Sequence, residues 1–411
     1  MTRKQKKYIK NIIQGKWWYE HQGKESSESI LFFIAHICQR LPQSIQKPFI
    51  NTIDKTGLIL SRLLNIFSWF SYHTFLIQGR EKKSGKKISI RFRGDIDSIQ
   101  FLLDFLNIEK NSTRIIENKT KKRDLNSAQL MNEHDLELHQ SDSFFRKYFQ
   151  QKGFLVFPEH ISMILDVSKP VDRIIQQVSS SITEDLKKAE KKDYKVEVTD
   201  DYQKFVLFYE RMYVPYVSWK HGSKKRIATF ASIKHLWLQG AKIVLIKEKK
   251  EYIFGGIFLK ENEKIVTHYA GLAKGKFYHL QHGIMAWSYY HLIVIAKKMN
   301  CSFIDFGTAH PFLSDGLLRY KAKWRMSIQK TSPFVSDIFS LKIHKKSEPL
   351  MSVFLNNPFL FFDKNKISAV FITTYKKNNE EKQYMGNNYR MVKNIPSQFF
   401  TIDELYNSRK K

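Results

Sequence analysis

Cysteine is almost missing. Cys38 and Cys301 are the only two in 411 residues, and each lies in an apolar run without a neighbouring ligand pattern. That argues against a disulfide framework and a zinc ribbon and predicts an intracellular chain. Acidic residues are scarce too: 39 Asp+Glu face 69 Lys+Arg, a formal charge of +30. Such an excess favours polyanions as partners, namely phosphorylated substrates, nucleic acid or an anionic membrane face, while a solvated basic surface would look the same in composition.

Long uninterrupted apolar runs are also lacking. The most apolar segment, residues 57–78, is broken by Arg62, Asn65 and His73, and an Arg at the centre of a span costs about 2.5–3.5 kcal/mol on insertion. A helix packed on the protein or lying in the interfacial plane is expected instead. Trp69, Phe70, Tyr72 and Phe75 are followed by Arg80, Lys82, Lys83, Lys86 and Lys87, which suits peripheral contact with an anionic membrane. The N-terminus is basic, but no apolar core or small-residue cleavage site follows, so secretion is not expected.

What is present is enough apolar and aromatic material, 42% and 14%, for more than one lobe. Lys87 to Ile108 reads as a strand, a turn at Gly94-Asp95 and a helix carrying Ile99, Leu102, Leu103 and Leu106; residues 107–143 read as a polar loop or weak helices. Ile161 to Val167 reads as a strand, with Ser168 as cap and Pro170 in the first turn of the helix that follows. Beyond it come helices, the strand "YKVEVT", a helix with Phe205, Phe208 and Met212 on one face, and another helix. Three strands then end at "EKIVTHYAGLA". The last of them runs into a helix beginning near Gly283, and "CSFIDFG" is the next strand.

That strand, helix, strand order places a helix N-terminus where an anion can bind. Gly271, Lys274, Gly275, Lys276, Gln281 and Gly283 lie just before it, and Gly283 would let a ligand approach the backbone. "GLAKGK" is not a P-loop, because the spacing and the Ser/Thr after Lys are absent. Asp305, ending an apolar strand, reads either as a base or as a cap for its own loop. In "YKAKWR" the cations Lys321, Lys323 and Arg325 alternate with Tyr320, Ala322 and Trp324, which as a strand gives one basic face. His279 and His282 are three apart without a His-Glu-x-x-His pattern, so no metal site is expected; no Gly-x-Ser-x-Gly elbow exists.

Taken together, "SSITEDLKKAEKKDYKV", "GIMAWSYYHLIVIAKKMNCSFIDFGTA" and "GLLRYKAKW" resemble, in order and spacing, the motifs of the FemABX-like branch of the GNAT acyltransferase superfamily, over about Ile161 to Ser327. The resemblance implies an α/β fold with mixed α+β sheets, built as tandem GNAT-like lobes behind a helical basic N-terminal extension. The boundaries expected are 1–85 for the extension, 86–160 for a degenerate first lobe, 161–330 for the acyltransferase lobe and 331–411 for strands that pack back, with a loose basic tail.

The resemblance also implies roles. Lys321 matches the signature lysine held to stabilise the negative charge that develops in acyl transfer, Asp305 and Gly307 match the strand-end motif, and Gly283 matches the small residue opening the donor helix. Catalytic candidates are Lys321, Asp305 and His310. Leu272, Lys274, Gly275, Lys276, Gln281 and Gly283 are candidates for holding acyl-CoA, with acetyl-CoA as the type case. Tyr269, Asp315, Arg319 and Trp324 are candidates for the acceptor, and Asp315 is a third possible base.

Two positions depart from the pattern. Arg325 stands where a glycine is usual, and Glu184-Asp185 interrupts a basic stretch. The expected function is transfer of an acyl group from acyl-CoA to an amine or hydroxyl of a sugar or lipid-linked envelope precursor, in the cytoplasm at the inner membrane face. One alternative is a Fem-type enzyme using aminoacyl-tRNA on a peptidoglycan or lipid acceptor. Another is a non-catalytic RNA- or membrane-binding protein on the same scaffold.

Overall fold

The computed structural model describes residues 72–118, 134–221, 227–330, 337–364, 366–373 and 395–407. The basic N-terminal extension lies outside them up to residue 71.

In chain order the strands are β1 (His73–Arg80), β2 (Lys87–Gly94), β3 (Arg114–Asn118), β4 (Leu136–Asp142), β5 (Leu155–Pro158), β6 (Ile161–Asp166), β7 (Tyr194–Thr199), β8 (Lys242–Glu248), β9 (Glu251–Glu261), β10 (Lys264–Leu272), β11 (Phe303–Ala309), β12 (Ser327–Lys330), β13 (Asp337–Ile343), β14 (Phe359–Asp363), β15 (Lys366–Thr373) and β16 (Ser397–Thr401). The helices are α1 (Ile99–Phe105), α2 (Arg146–Gln151), α3 (Val171–Ile175), α4 (Ser180–Glu190), α5 (Tyr202–Phe208), α6 (Val214–His221), α7 (Phe230–Leu238), α8 (Ile284–Lys298), α9 (Gly316–Lys323), α10 (Glu348–Asn356) and α11 (Ile402–Asn407).

These elements form two compact units. One holds Ser162–Gly307 with Lys323–Ile328, and the other holds the described residues up to Ile161, Thr308–Ala322 and those from Gln329 onward. The fold is thus mixed α+β, with parallel and antiparallel pairs in the same sheets.

The first unit carries a seven-stranded sheet in the order β12-β6-β11-β10-β9-β8-β7. Strands β7 to β10 form an antiparallel meander, and β10 then pairs parallel with β11 after the crossover through α8. Ile243, Leu245 and Ile257 pack with Phe205, Phe208 and Met212 into one core, so the helical stripe read from the sequence is the one buried. Between α5 and α6, Tyr209–Tyr213 make a π-helical turn whose backbone lies against Gly271.

Helix α3 starts differently from the expectation. Pro170 is its N-cap, and Ser168 instead donates its N–H to Asp166 Oδ1 at 2.8 Å.

The second unit has a six-stranded sheet, β3-β1-β2-β4-β13-β5, and a three-stranded sheet, β14-β15-β16. Ile88, Ile90 and Phe92 of β2, Leu136 and Leu138 of β4, and Phe339 and Leu341 of β13 point to one face. There they share a core with Leu102, Phe354, Phe359 and Val370.

Two readings are corrected here. Residues 107–143, taken for a loop or weak helices, contain β3 and β4. Of the apolar segment 57–78, taken for a helix, residues 57–71 lie outside the described residues and the part from His73 is strand, with Phe75 buried in the sheet core rather than offered to a membrane. Among the described residues no helix is long and apolar enough to cross a membrane.

Candidate active site

In the first unit the sheet opens between β10 and β11. They pair only from Lys264–Phe303 to Val266–Asp305, although both strands continue. On its other side β10 shifts register against β9 between Thr267 and Ala270, so His268 and Tyr269 stand out of the ladder.

The residues that produce the opening are polar. Thr267 Oγ1 donates to the Asp305 carbonyl at 3.1 Å. Asp305 Oδ1 accepts the Gly307 N–H at 2.9 Å, and Gly307 sits at φ +75°, left-handed backbone that favours glycine. Lys264 Nζ lies 3.8 Å from Asp305 Oδ2. Asp305 therefore shapes its own strand end, the capping alternative of the sequence reading.

His268 is the residue the sequence reading passed over. It is exposed to solvent, yet desolvation by the surrounding protein pushes its imidazole down to about 4. The ring is therefore neutral at pH 7, with a lone pair able to accept a proton. A histidine interrupting the apolar stretch "IVTHYAGLA" was the available signal, and it was lost among neighbouring histidines.

The loop from Ala273 to Gly283 differs from the expected phosphate cradle. The N–H groups of Lys276, His279, Gln281, His282 and Gly283 all donate to carbonyls three residues back, within the loop itself. Gly283 is the N-cap of α8 at φ +77°, and a Cβ placed there would stand 2.0 Å from the Asp185 carbonyl oxygen. Its missing side chain makes room for the backbone of α4.

The other donor candidates divide between structure and surface. Lys276 Nζ pairs with Glu251 Oε2 at 2.7 Å, and this pairing raises the lysine pKa. Leu272 is buried in a core with Ile284 and Tyr194. Lys274, Gly275 and Gln281 are exposed, and an added Cβ at Gly275 would meet nothing within 4 Å. His279 is buried, with Nδ1 2.7 Å from the Tyr194 hydroxyl and Nε2 3.7 Å from Glu248 Oε2, so it ties the loop to β7 and β8.

Of the acceptor candidates in this unit, Tyr269 is half-buried with its ring 5.1 Å from that of Tyr213. Trp324 is a core residue, fully buried and 5.5 Å from the Tyr289 ring.

Lys321, His310, Asp315 and Arg319 belong to the second unit. "YKAKWR" is not a strand there: Tyr320 to Lys323 finish α9. Lys321 is 2% exposed, and its Nζ donates to the Thr308 carbonyl at 2.9 Å. Asp315 caps α9 by accepting the Leu318 N–H at 2.7 Å, and Arg319 is exposed. His310 packs between Phe101 and His160, with ring centroids 4.7 and 4.8 Å away.

Arg325, in the first unit, explains one departure from the motif. It adopts φ +60°, the left-handed conformation glycine takes most easily, and its Nε donates to the Gln177 carbonyl at 2.8 Å.

No protein-family model matches the chain, and no curated protein matches it. Solved structures do. FemX is 14% identical, with 68% of this chain and 85% of that one covered at a TM-score of 0.35. The C-terminal domain of a putative lysylphosphatidylglycerol synthetase from Agrobacterium fabrum is 9% identical, with 70% and 89% covered and a TM-score of 0.34. A tandem GNAT protein from the clavulanic acid biosynthesis pathway is 7% identical, with 64% and 79% covered and a TM-score of 0.27.

Proposed function

We propose that this chain is an acyltransferase whose donor is an aminoacyl-tRNA and whose acceptor is an amine or hydroxyl on a lipid-linked or cell-wall precursor. The observation that carries the reading is the opening between β10 and β11 with the neutral His268 beside it. The motif resemblance supports the reaction class, and the loop geometry favours an aminoacyl-tRNA over acyl-CoA. A cradle for the CoA pyrophosphate needs free backbone N–H groups and an open approach at the helix start. Here five N–H groups of the loop are already bonded and the backbone of α4 fills the space at Gly283, which leaves only the first-turn N–H groups of α8 to meet an anion. A formal charge of +30 suits a donor that is itself a polyanion.

In this reading the acceptor nitrogen or oxygen attacks the ester carbonyl while its proton passes to the His268 imidazole. The tetrahedral intermediate then collapses, the bond to the tRNA ribose oxygen breaks, and that oxygen takes up the proton to leave as a hydroxyl. A positioned general base is worth about 10²–10⁴ in rate when its pKa lies near the working pH, and a pKa of about 4 puts His268 at the low end of that range. Lys321 has no part in this step: its ammonium holds the Thr308 carbonyl within the second unit.

The test is transfer of labelled amino acid from charged tRNA to membrane or cell-wall precursors, wild type beside His268→Gln, with acetyl-CoA titrated calorimetrically in parallel. Transfer that falls by two orders of magnitude or more in His268→Gln supports the reading. Saturable acetyl-CoA binding that survives raised salt, together with acetyl transfer, would return the donor to acyl-CoA. RNA binding that fades steeply with salt, without turnover, would favour the non-catalytic alternative.

A further inference from the structure

The second unit contains a cluster that the proposed reaction does not use. On the face opposite the apolar core, the middle strands of the six-stranded sheet carry a group of buried polar residues, bordered at β5 and β13 by the apolar Val156 and Ile338. Arg91 and Arg93 of β2, Glu137, His139 and Ser141 of β4, and Ser340 of β13 all lie below 9% exposure. At one end of β4 and β13, His134, Glu137 and His344 bring their ligand atoms within 4.8 Å of one another, all three residues being buried.

We propose that His134, Glu137 and His344 bind a borderline divalent transition-metal ion, with Zn²⁺ as the type case, leaving a fourth position for water or a small anion. Two imidazoles and one carboxylate are the donor set of a three-ligand zinc site, and ligands about 2.0–2.1 Å from a tetrahedral ion stand about 3.3–3.4 Å apart. Coordination requires the three atoms, now within 4.8 Å of one another, to close to that spacing.

The backbone holds two of the ligand positions in register. Ile343 pairs with Leu136, and the N–H groups of His344 and Lys345 both donate to the Asp135 carbonyl, at 2.8 and 3.1 Å. Asp135 in turn accepts the Ser89 N–H through Oδ2 at 2.8 Å. The carboxylate is oriented as well. His139 Nε2 lies 3.0 Å from Glu137 Oε1, and Oε2 is aimed at His344 Nε2, 2.8 Å away. An entering ion takes the place of the proton shared across that last pair, so binding releases a proton. His139 remains behind the carboxylate as its support.

Charge narrows the choice of ion. Arg91 stands opposite Glu137 and Arg93 opposite His139 in the β2–β4 ladder, so the surroundings add positive charge. A hard cation held by oxygen ligands and field strength, such as Ca²⁺ or Mg²⁺, has one carboxylate here and is disfavoured. An ion that forms strong bonds to imidazole is favoured.

The experiment uses the full chain, stripped with EDTA and dialysed. Zn²⁺ is titrated against a chromophoric chelator, Co²⁺ absorption is recorded, and X-ray absorption at the zinc edge counts the imidazoles on the wild type. Binding of one Zn²⁺ per chain with two coordinated imidazoles and intense tetrahedral Co²⁺ bands is expected. His344→Gln should lose at least 100-fold in affinity, and the supporting variant His139→Gln about 10–100-fold. Absence of a stoichiometric site in the wild type overturns the proposal. So does zinc binding that is unchanged in both folded variants, which would place the ion on other histidines. If His344→Gln fails to fold, the imidazole count on the wild type still decides: fewer than two rejects the site.

Discussion

Substituting Gly283 by Ala tests how α8 is seated on α4. The position demands φ +77°, which costs a side-chain-bearing residue about 1–2 kcal/mol. The new Cβ would also stand 2.0 Å from the Asp185 carbonyl oxygen and 2.7 Å from its carbon, and backbone cannot swing aside as a side chain does. Overpacking of this kind costs about 1–3 kcal/mol, so the total is about 2–5 kcal/mol. Gly275→Ala is the control. It has the same φ of +77° with nothing within 4 Å of the added atom, so only the conformational cost of about 1–2 kcal/mol applies. Denaturant titration of both variants beside wild type isolates the overlap as the difference between them. Equal losses at the two positions would refute the packing argument and reopen Gly283 as a place where a ligand approaches.

His291, half-buried on α8 with its ring against Trp287, has its pKa lowered to about 4 by desolvation and then by repulsion from Lys298. A histidine held neutral by folding contributes stability that is complete above its unfolded pKa near 6.5 and is lost as pH falls toward 4. The denaturation midpoint should drop across that window in wild type and drop less in His291→Phe; identical profiles would contradict this. For His268 the C2 proton should titrate near pH 4 by NMR, and a midpoint near 6.5 would contradict its desolvation. At Arg325, replacement by Gly should leave the protein about 1 kcal/mol more stable than replacement by Ala, because both lose the bond to Gln177 and only Ala retains the left-handed strain. Lys321→Ala should destabilise by about 1–3 kcal/mol by leaving the Thr308 carbonyl without its donor, measured by thermal unfolding.

Strands and helices of the seven-stranded unit were legible because their buried faces are apolar at period two or at helical spacing, as in β8 to β10 and α5. Strand β4, "LELHQSD", was not, because both of its faces are buried and one is polar; alternation of Leu with Glu and His ordinarily marks a solvent face. "YKAKWR" failed for the opposite reason. Alternation over six residues fits a strand, yet four of them lie in a helix whose lysine turns inward to a carbonyl. Asp305 could be read either way until the Gly307 N–H supplied its partner. The role of Gly283 depended on a helix about a hundred residues earlier, and the His134, Glu137 and His344 cluster depended on a register joining residues about two hundred apart. Neither distance is encoded in local spacing.

The two units are interleaved along the chain, and that orders events on the ribosome. Strands β1 to β5 emerge early, but their sheet needs β13 inserted between β4 and β5, and their core needs Phe354, Phe359 and Val370. About 200 residues, most of the seven-stranded unit, are made in between. At roughly 5–20 residues per second, the first-made sheet waits about 10–40 seconds with apolar strands uncovered. The unit that starts later can close first. Nascent chains halted before residue 337 should accordingly be the ones that recruit chaperones and resist refolding, and synonymous codon changes that slow translation there should lower the soluble yield without altering a single side chain.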